Sequence, residues 1–210
     1  MFDISCTVGK LKYEVIEMCR RKGWGDDGIQ NPQHVAMAMM VEAMELLEHF
    51  ADMSDDMADE LMAGGANGLR YEIAEELSDV LMYSMQLMYT LKVDVSREIA
   101  DIYTDSATTI AELKAYTEES SAGLKEQAMN VGIKARFVLE VFQWMNDNDV
   151  AALVRGEKPA KNAEAGSAFG EMFREVLRLA NMLRIDISGS IARKIAIVDK
   201  RVYPEDDPVR

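Results

Sequence analysis

Four carboxylates are set apart by their spacing. Glu42 and Glu45 lie three residues apart in the apolar run from Val35 to Phe50, and Glu76 and Asp79 repeat that interval among Leu77, Val80, Leu81 and Tyr83. On a helix, residues at i and i+3 share one face, about a turn apart. A helix that is apolar nearly all round is a buried one, so these acids are expected to point into a bundle interior. A buried carboxylate without a partner is costly and resists ionisation. Two helices that each offer such a pair would form a four-carboxylate cage for a hard divalent cation.

The rest of the chain must supply helices to carry the acids, and its composition does. Of 210 residues, 49% are hydrophobic and only four are proline, with no alternating Val, Ile and Thr runs to suggest strands. The composition is all-α. A helix is expected over about 4–22, with Val8, Leu11, Val15, Ile16 and Cys19 on its apolar face. It is followed by a glycine-rich loop, Gly23 to Gln30, that exposes Trp24 either to cap the bundle or to stack on a ligand base. Asn31-Pro32 signals the start of the helix carrying Glu42 and Glu45. A short acidic helix over 55–61 and a break at Gly64 to Gly68 precede the helix of Glu76 and Asp79, about 69–91. Further helices are expected at 96–116, 124–146, 165–183 and 188–201, with a charged loop over 155–162. The methionine-rich faces Met37 to Met44 and Met82 to Met88, and Trp144, are expected in the core.

Charge narrows the class of partner. The net charge of −14 argues against nucleic acid and anionic membranes as ligands. The distribution is uneven: residues 1–123 carry −15, residues 124–201 carry +3 and the tail −2. Two cysteines without metal-type spacing, no amino-terminal signal pattern and no apolar run of transmembrane length lead to an expectation of a cytoplasmic protein.

The halves resemble each other. Leu91-Lys-Val-Asp-Val-Ser96 and Leu183-Arg-Ile-Asp-Ile-Ser188 are 92 residues apart. The same interval pairs Leu47, Glu48 and Phe50 with Leu139, Glu140 and Phe142, then Met53, Asp55, Leu61 and Gly64 with Met145, Asp147, Leu153 and Gly156. The chain reads as a duplicated helical unit: a first repeat over 1–118, a linker at 119–123, a second repeat over 124–204 and a tail at 205–210. At this interval Glu42 becomes Lys134, Glu45 becomes Phe137, Glu76 becomes Ala168 and Asp79 becomes Glu171. Three of the four acids are lost while the core pattern persists, so one working site is expected in the first repeat and a structural role for the second. Glu48 and Glu72 persist as Glu140 and Glu164, so they read as structural.

Glu42-x-x-Glu45 followed by Glu76-x-x-Asp79 resembles the motif of the MazG-like, all-α NTP pyrophosphohydrolase superfamily. Asn31-Pro32, Glu75-Glu-Leu-Ser-Asp-Val80, Leu91-x-Val-Asp94, Phe142-Gln-Trp144 and Lys200-Arg-Val-Tyr-Pro204 are similar to flanking segments of that group. The resemblance implies a pseudo-dimeric helix bundle that hydrolyses a nucleoside triphosphate between the α- and β-phosphates, with Mg²⁺, or Mn²⁺ in its place. It assigns Glu42, Glu45, Glu76 and Asp79 as metal ligands, with Glu42 and Glu45 in the catalytic step and Glu45 as the base. Members usually carry cations in the last helix, whereas the first repeat has Ile102, Tyr103 and Asp105 in that region. The second repeat has Lys194, Lys200, Arg201 and Tyr203, so it is expected to dock on the first and supply the basic side. Trp24 and His34 are further candidates for substrate contact, and a homodimer is expected by the same likeness. Two other readings compete: a helical binding module without turnover, and a di-iron bundle, which the lack of Glu-x-x-His pairs disfavours.

Overall fold

The computed structural model describes residues 2–93, 108–117 and 122–202, and these are all-helical, with no strand beyond two isolated bridges. A 3-10 turn at Asp3–Ser5 precedes α1 (Val8–Lys22), α2 (Pro32–Ala51), α3 (Asp55–Ala63), α4 (Asn67–Leu91) and α5 (Ile110–Tyr116). Then come α6 (Leu124–Phe142), α7 (Asp147–Val154), α8 (Pro159–Met182) and α9 (Ile187–Lys200). No described helix is long and apolar enough to cross a membrane.

Local chemistry sets the ends. The Thr7 side chain caps α1 by accepting from the Lys10 amide, and Gly23 stops that helix at φ 69°. α1 is therefore shorter than expected, and Ile4 lies outside it, exposed. Asn31 caps α2 with Pro32 in its first turn, as the sequence suggested. Thr109 and Glu112 form a capping box that begins α5, so a helix unbroken over 96–116 is excluded at this point. Residues 94–107 of that expectation, with Ile102, Tyr103 and Asp105, lie outside the described residues. The charged loop expected at 155–162 is cut to 155–158, because Pro159 opens α8 there. A short helix over 147–154, not anticipated, matches the acidic α3 in place and length.

The interval of 92 recurs in the backbone. α6, α7 and α8 begin 92 residues after α2, α3 and α4. Positive φ values recur at Gly64 and Gly156, and at Lys92 (55°) and Arg184 (53°).

α2 packs most extensively on α4, α6 on α8, and the two pairs meet through α2 and α6. Gln33 at the start of α2 donates to the carbonyls of Phe142 (3.2 Å) and Met145 (2.9 Å) at the end of α6, so these helices run antiparallel. α1 and α9 both lie against α4. The core runs through the whole assembly, from Leu11 and Met39 through Leu77 and Leu81 to Phe142, Phe169 and Phe173.

Three expectations about burial are corrected. α2 is not apolar all round in a buried sense: Met37 (57%), Val41 (54%) and Met44 (47%) are exposed, and Glu45 with them. Trp144 is 88% exposed rather than core, since it follows the last turn of α6 and its side chain meets no covering helix. Trp24 is 8% exposed, because the loop after α1 folds back over the bundle instead of presenting the ring to solvent. The Met82 to Met88 face is core as expected.

That loop depends on glycine. Gly25 has φ 68°, and a Cβ placed there would meet the Ile29 carbonyl oxygen at 2.2 Å, a backbone atom that cannot swing away. Gly25→Ala is expected to lower stability by about 1–3 kcal/mol through strain and displacement of the turn. Urea unfolding, with Trp fluorescence as the probe, checks this.

Candidate metal centre

The two acidic pairs come together because α2 and α4 pack along their length. One carboxylate oxygen from each of Glu42, Glu45 and Glu76 lies within 4.8 Å of the other two. Glu42 and Glu76 are half-buried and Glu45 is exposed. One oxygen of Glu76, Oε2, is buried and meets no hydrogen-bond donor among the described residues.

The fourth acid is engaged differently. Lys194 of α9 contacts the Asp79 carboxylate directly, and its Nζ lies 3.7 Å from Glu75. Burial pulls the lysine toward the neutral form, but the bond to Asp79 and the nearby acids outweigh it and raise its pKa. α9 is anchored at both ends by the first half of the chain. At its start the Asp3 carboxylate accepts from the amides of Ser188 (2.8 Å) and Ile187 (3.3 Å) and pairs with Lys114 at 3.0 Å. At its end Arg21 pairs with Asp199 at 2.8 Å, and Lys22 donates to the Asp199 and Arg201 carbonyls. Those clamps fix where Lys194 and Arg201 stand.

Both cations line a cavity of about 250 Å³ whose acidic part is Glu42, Glu45, Glu76 and Asp79. Met18, Trp24, Met82, Tyr83, Gln86 and Val198 complete its wall. Trp24 is thus at the site, as a buried wall. His34 is not: it is exposed and lies in a separate hollow with Gln33, Met37 and Arg136. Lys200 points to solvent and is not part of the cavity wall. Tyr203 lies outside the described residues. The spacing rules missed Gln86, although an amide within the apolar run from Ser84 to Leu91 is the kind of outlier that marks a site.

Crowding of like charges leaves its mark. Burial raises the Glu42 pKa to about 7, with Asp79, Glu45 and Glu76 adding to it. Glu76 is raised by burial, then by Asp79 and Glu45. Asp79 is raised by burial despite Lys194. An acid that keeps its proton in the folded state to about 7 but loses it unfolded near 4.5 makes stability fall as pH climbs through that window. The cation-free protein is therefore expected to lose stability from pH 4.5 to 7 and then level off, while Glu42→Gln flattens the slope. Urea midpoints across pH decide it; a wild-type midpoint that rises through the window would contradict the charge crowding.

The donor set is all oxygen, acidic and hard, which suits Mg²⁺ or Mn²⁺ rather than a thiophilic metal. Glu76 Oε2, buried without a protein donor, fits a cation better than it fits an apolar packing role. Compared with protein-family models, with curated proteins and with solved structures, the chain matches none.

Proposed function

We propose that this cavity binds a nucleoside triphosphate with Mg²⁺ and hydrolyses it between the α- and β-phosphates to a monophosphate and pyrophosphate. The observation that carries the reading is the convergence of three carboxylates from α2 and α4, faced by Lys194 of α9 and by Arg201, the residue that caps its end. Glu42, Glu45 and Glu76 would hold the ion, with Mn²⁺ able to replace Mg²⁺. When bound, the ion would offset the triphosphate charge and lower the pKa of an attacking water. Glu45, exposed at the mouth, is the base that takes a proton from that water. Arg201 and Lys194 orient the phosphates, and Lys194 holds Asp79 until a phosphate competes for it.

The same reading treats the chain as a duplicated unit whose second copy has given up its own site. Lys134 and Glu171, at the positions of Glu42 and Asp79, pair at 2.7 Å, so an ammonium stands among the groups that hold an ion in the first half. The second half contributes instead through α9. A binding module without turnover is the second reading, favoured by the engagement of Asp79 with Lys194, which withdraws one carboxylate from the ion.

A panel of ribo- and deoxynucleoside triphosphates with Mg²⁺, scored for pyrophosphate and free phosphate, separates these. Pyrophosphate from one or a few triphosphates supports the enzyme. Mg²⁺-dependent binding without turnover supports the module, and free phosphate alone contradicts the bond assignment.

A further inference from the structure

The cavity has a second polar feature that the acids do not explain. Gln86 is only 3% exposed, lines the cavity, and its Oε1 meets no donor among the described residues. It sits on α4 seven residues past Asp79, which is about 10 Å along the helix at 1.5 Å per residue. That separation puts it beyond the phosphate-facing groups, beside the apolar and aromatic walls of Met18, Trp24, Met82 and Val198. A buried amide oxygen left without a partner costs stability, so a native protein that retains one is holding it for something.

The second half sharpens the contrast. At the interval of 92, Gln86 corresponds to Arg178 and Tyr83 to Glu175, and these two pair at 2.7 Å. Glu175 also accepts from Gln127 at 2.8 Å. In the second half these groups hold one another, although Arg178 Nε and Gln127 Oε1 still meet no partner among the described residues. In the half that keeps the acids, Glu76 and Gln86 line one cavity and each has a buried oxygen without a partner among the described residues.

We infer that Gln86 reads the edge of a nucleobase and sets the specificity of the site; this rests on the triphosphate reading above. A planar amide offers an acceptor beside donors, which complements a ring edge carrying an N–H next to a lone pair. The Trp24 ring and the two methionines supply faces for the base. The base is held by the amide at its hydrogen-bonding edge.

The test uses the whole chain, Mg²⁺, the 2′-deoxynucleoside α,β-imido-triphosphates of the four bases, and inorganic tripolyphosphate, with affinities from calorimetry. The wild-type protein is expected to bind the analogue of one base at least roughly tenfold tighter than tripolyphosphate and than the weakest of the other analogues. Gln86→Met, similar in volume and without the orphaned oxygen, is expected to erase that advantage and leave tripolyphosphate affinity unchanged. It should also raise the melting temperature of the ligand-free protein by about 2–5 °C, since it removes an unsatisfied polar group. A structural glutamine would give the opposite: a lower melting temperature and parallel losses for every ligand. Equal binding of all four analogues, or a base preference that survives Gln86→Met, overturns the inference. If no ligand binds, tripolyphosphate included, it falls together with the triphosphate reading. If the analogues bind as expected but the natural nucleotides are not cleaved, the base pocket stands and only hydrolysis falls.

Discussion

Glu45→Gln is expected to cut pyrophosphate release by about 10²–10⁴-fold, the usual worth of a positioned general base, with a further loss of Mg²⁺ affinity. The substitution keeps size and hydrogen-bonding capacity but removes the charge. Glu45 is exposed, so the variant should fold as the parent does. Its oxygen lies within 4.8 Å of those of Glu42 and Glu76, so the loss of its charge also relieves their mutual repulsion. The double signature is therefore lower turnover and a ligand-free protein at least as stable as the parent. Raising Mg²⁺ should recover binding but not turnover. Turnover that returns in full at high Mg²⁺ would leave Glu45 as a ligand and remove it as the base.

Lys194→Met should have the second-largest effect, and it separates two roles of one side chain. The Lys194 and Asp79 side chains are each 14% exposed, and the lysine is the cation in contact with Asp79 while Glu75, Glu76 and Glu42 crowd the same region. Removing one partner of such a pair leaves a poorly solvated charge, at a cost of about 2–3 kcal/mol near pH 7. Adding Asp79→Asn should restore most of that stability by removing the stranded charge. Triphosphate affinity should stay at least roughly tenfold low in the double variant, because no ammonium is left to meet the phosphates. Affinity that returns along with stability would make Lys194 a purely structural partner of Asp79.

Much of this was legible in the sequence, for reasons that can be named. Asn31-Pro32, Gly23 and Gly64 mark helix ends by local chemistry, and local chemistry needs no partner to operate. The pairing of Glu42 and Glu45 with Glu76 and Asp79 could be read because i, i+3 spacing fixes a face, and two such faces are costly unless they meet. Burial was less readable. Met37, Val41 and Met44 have core composition and lie on the outer face of α2, since periodicity reports an apolar stripe but not whether another helix covers it. Trp24 and Trp144 were placed the wrong way round because a loop's direction is a tertiary outcome. The Lys194–Asp79 contact joins residues 115 apart, beyond any local rule, and only the charge imbalance between the halves hinted at it. Gln86 was missed because a lone amide has no spacing to betray it.

The central claim is that Glu42, Glu45 and Glu76 form one divalent-cation site, and both functional readings stand on it. A Mn²⁺ titration followed by electron paramagnetic resonance, on the parent and on Glu42→Gln, Glu45→Gln and Glu76→Gln, tests it most directly. The account predicts saturable binding in the parent that competes with Mg²⁺ and is weakened at least roughly tenfold in each variant. Binding that is equally strong in all four proteins, or no saturable binding at all, would contradict it.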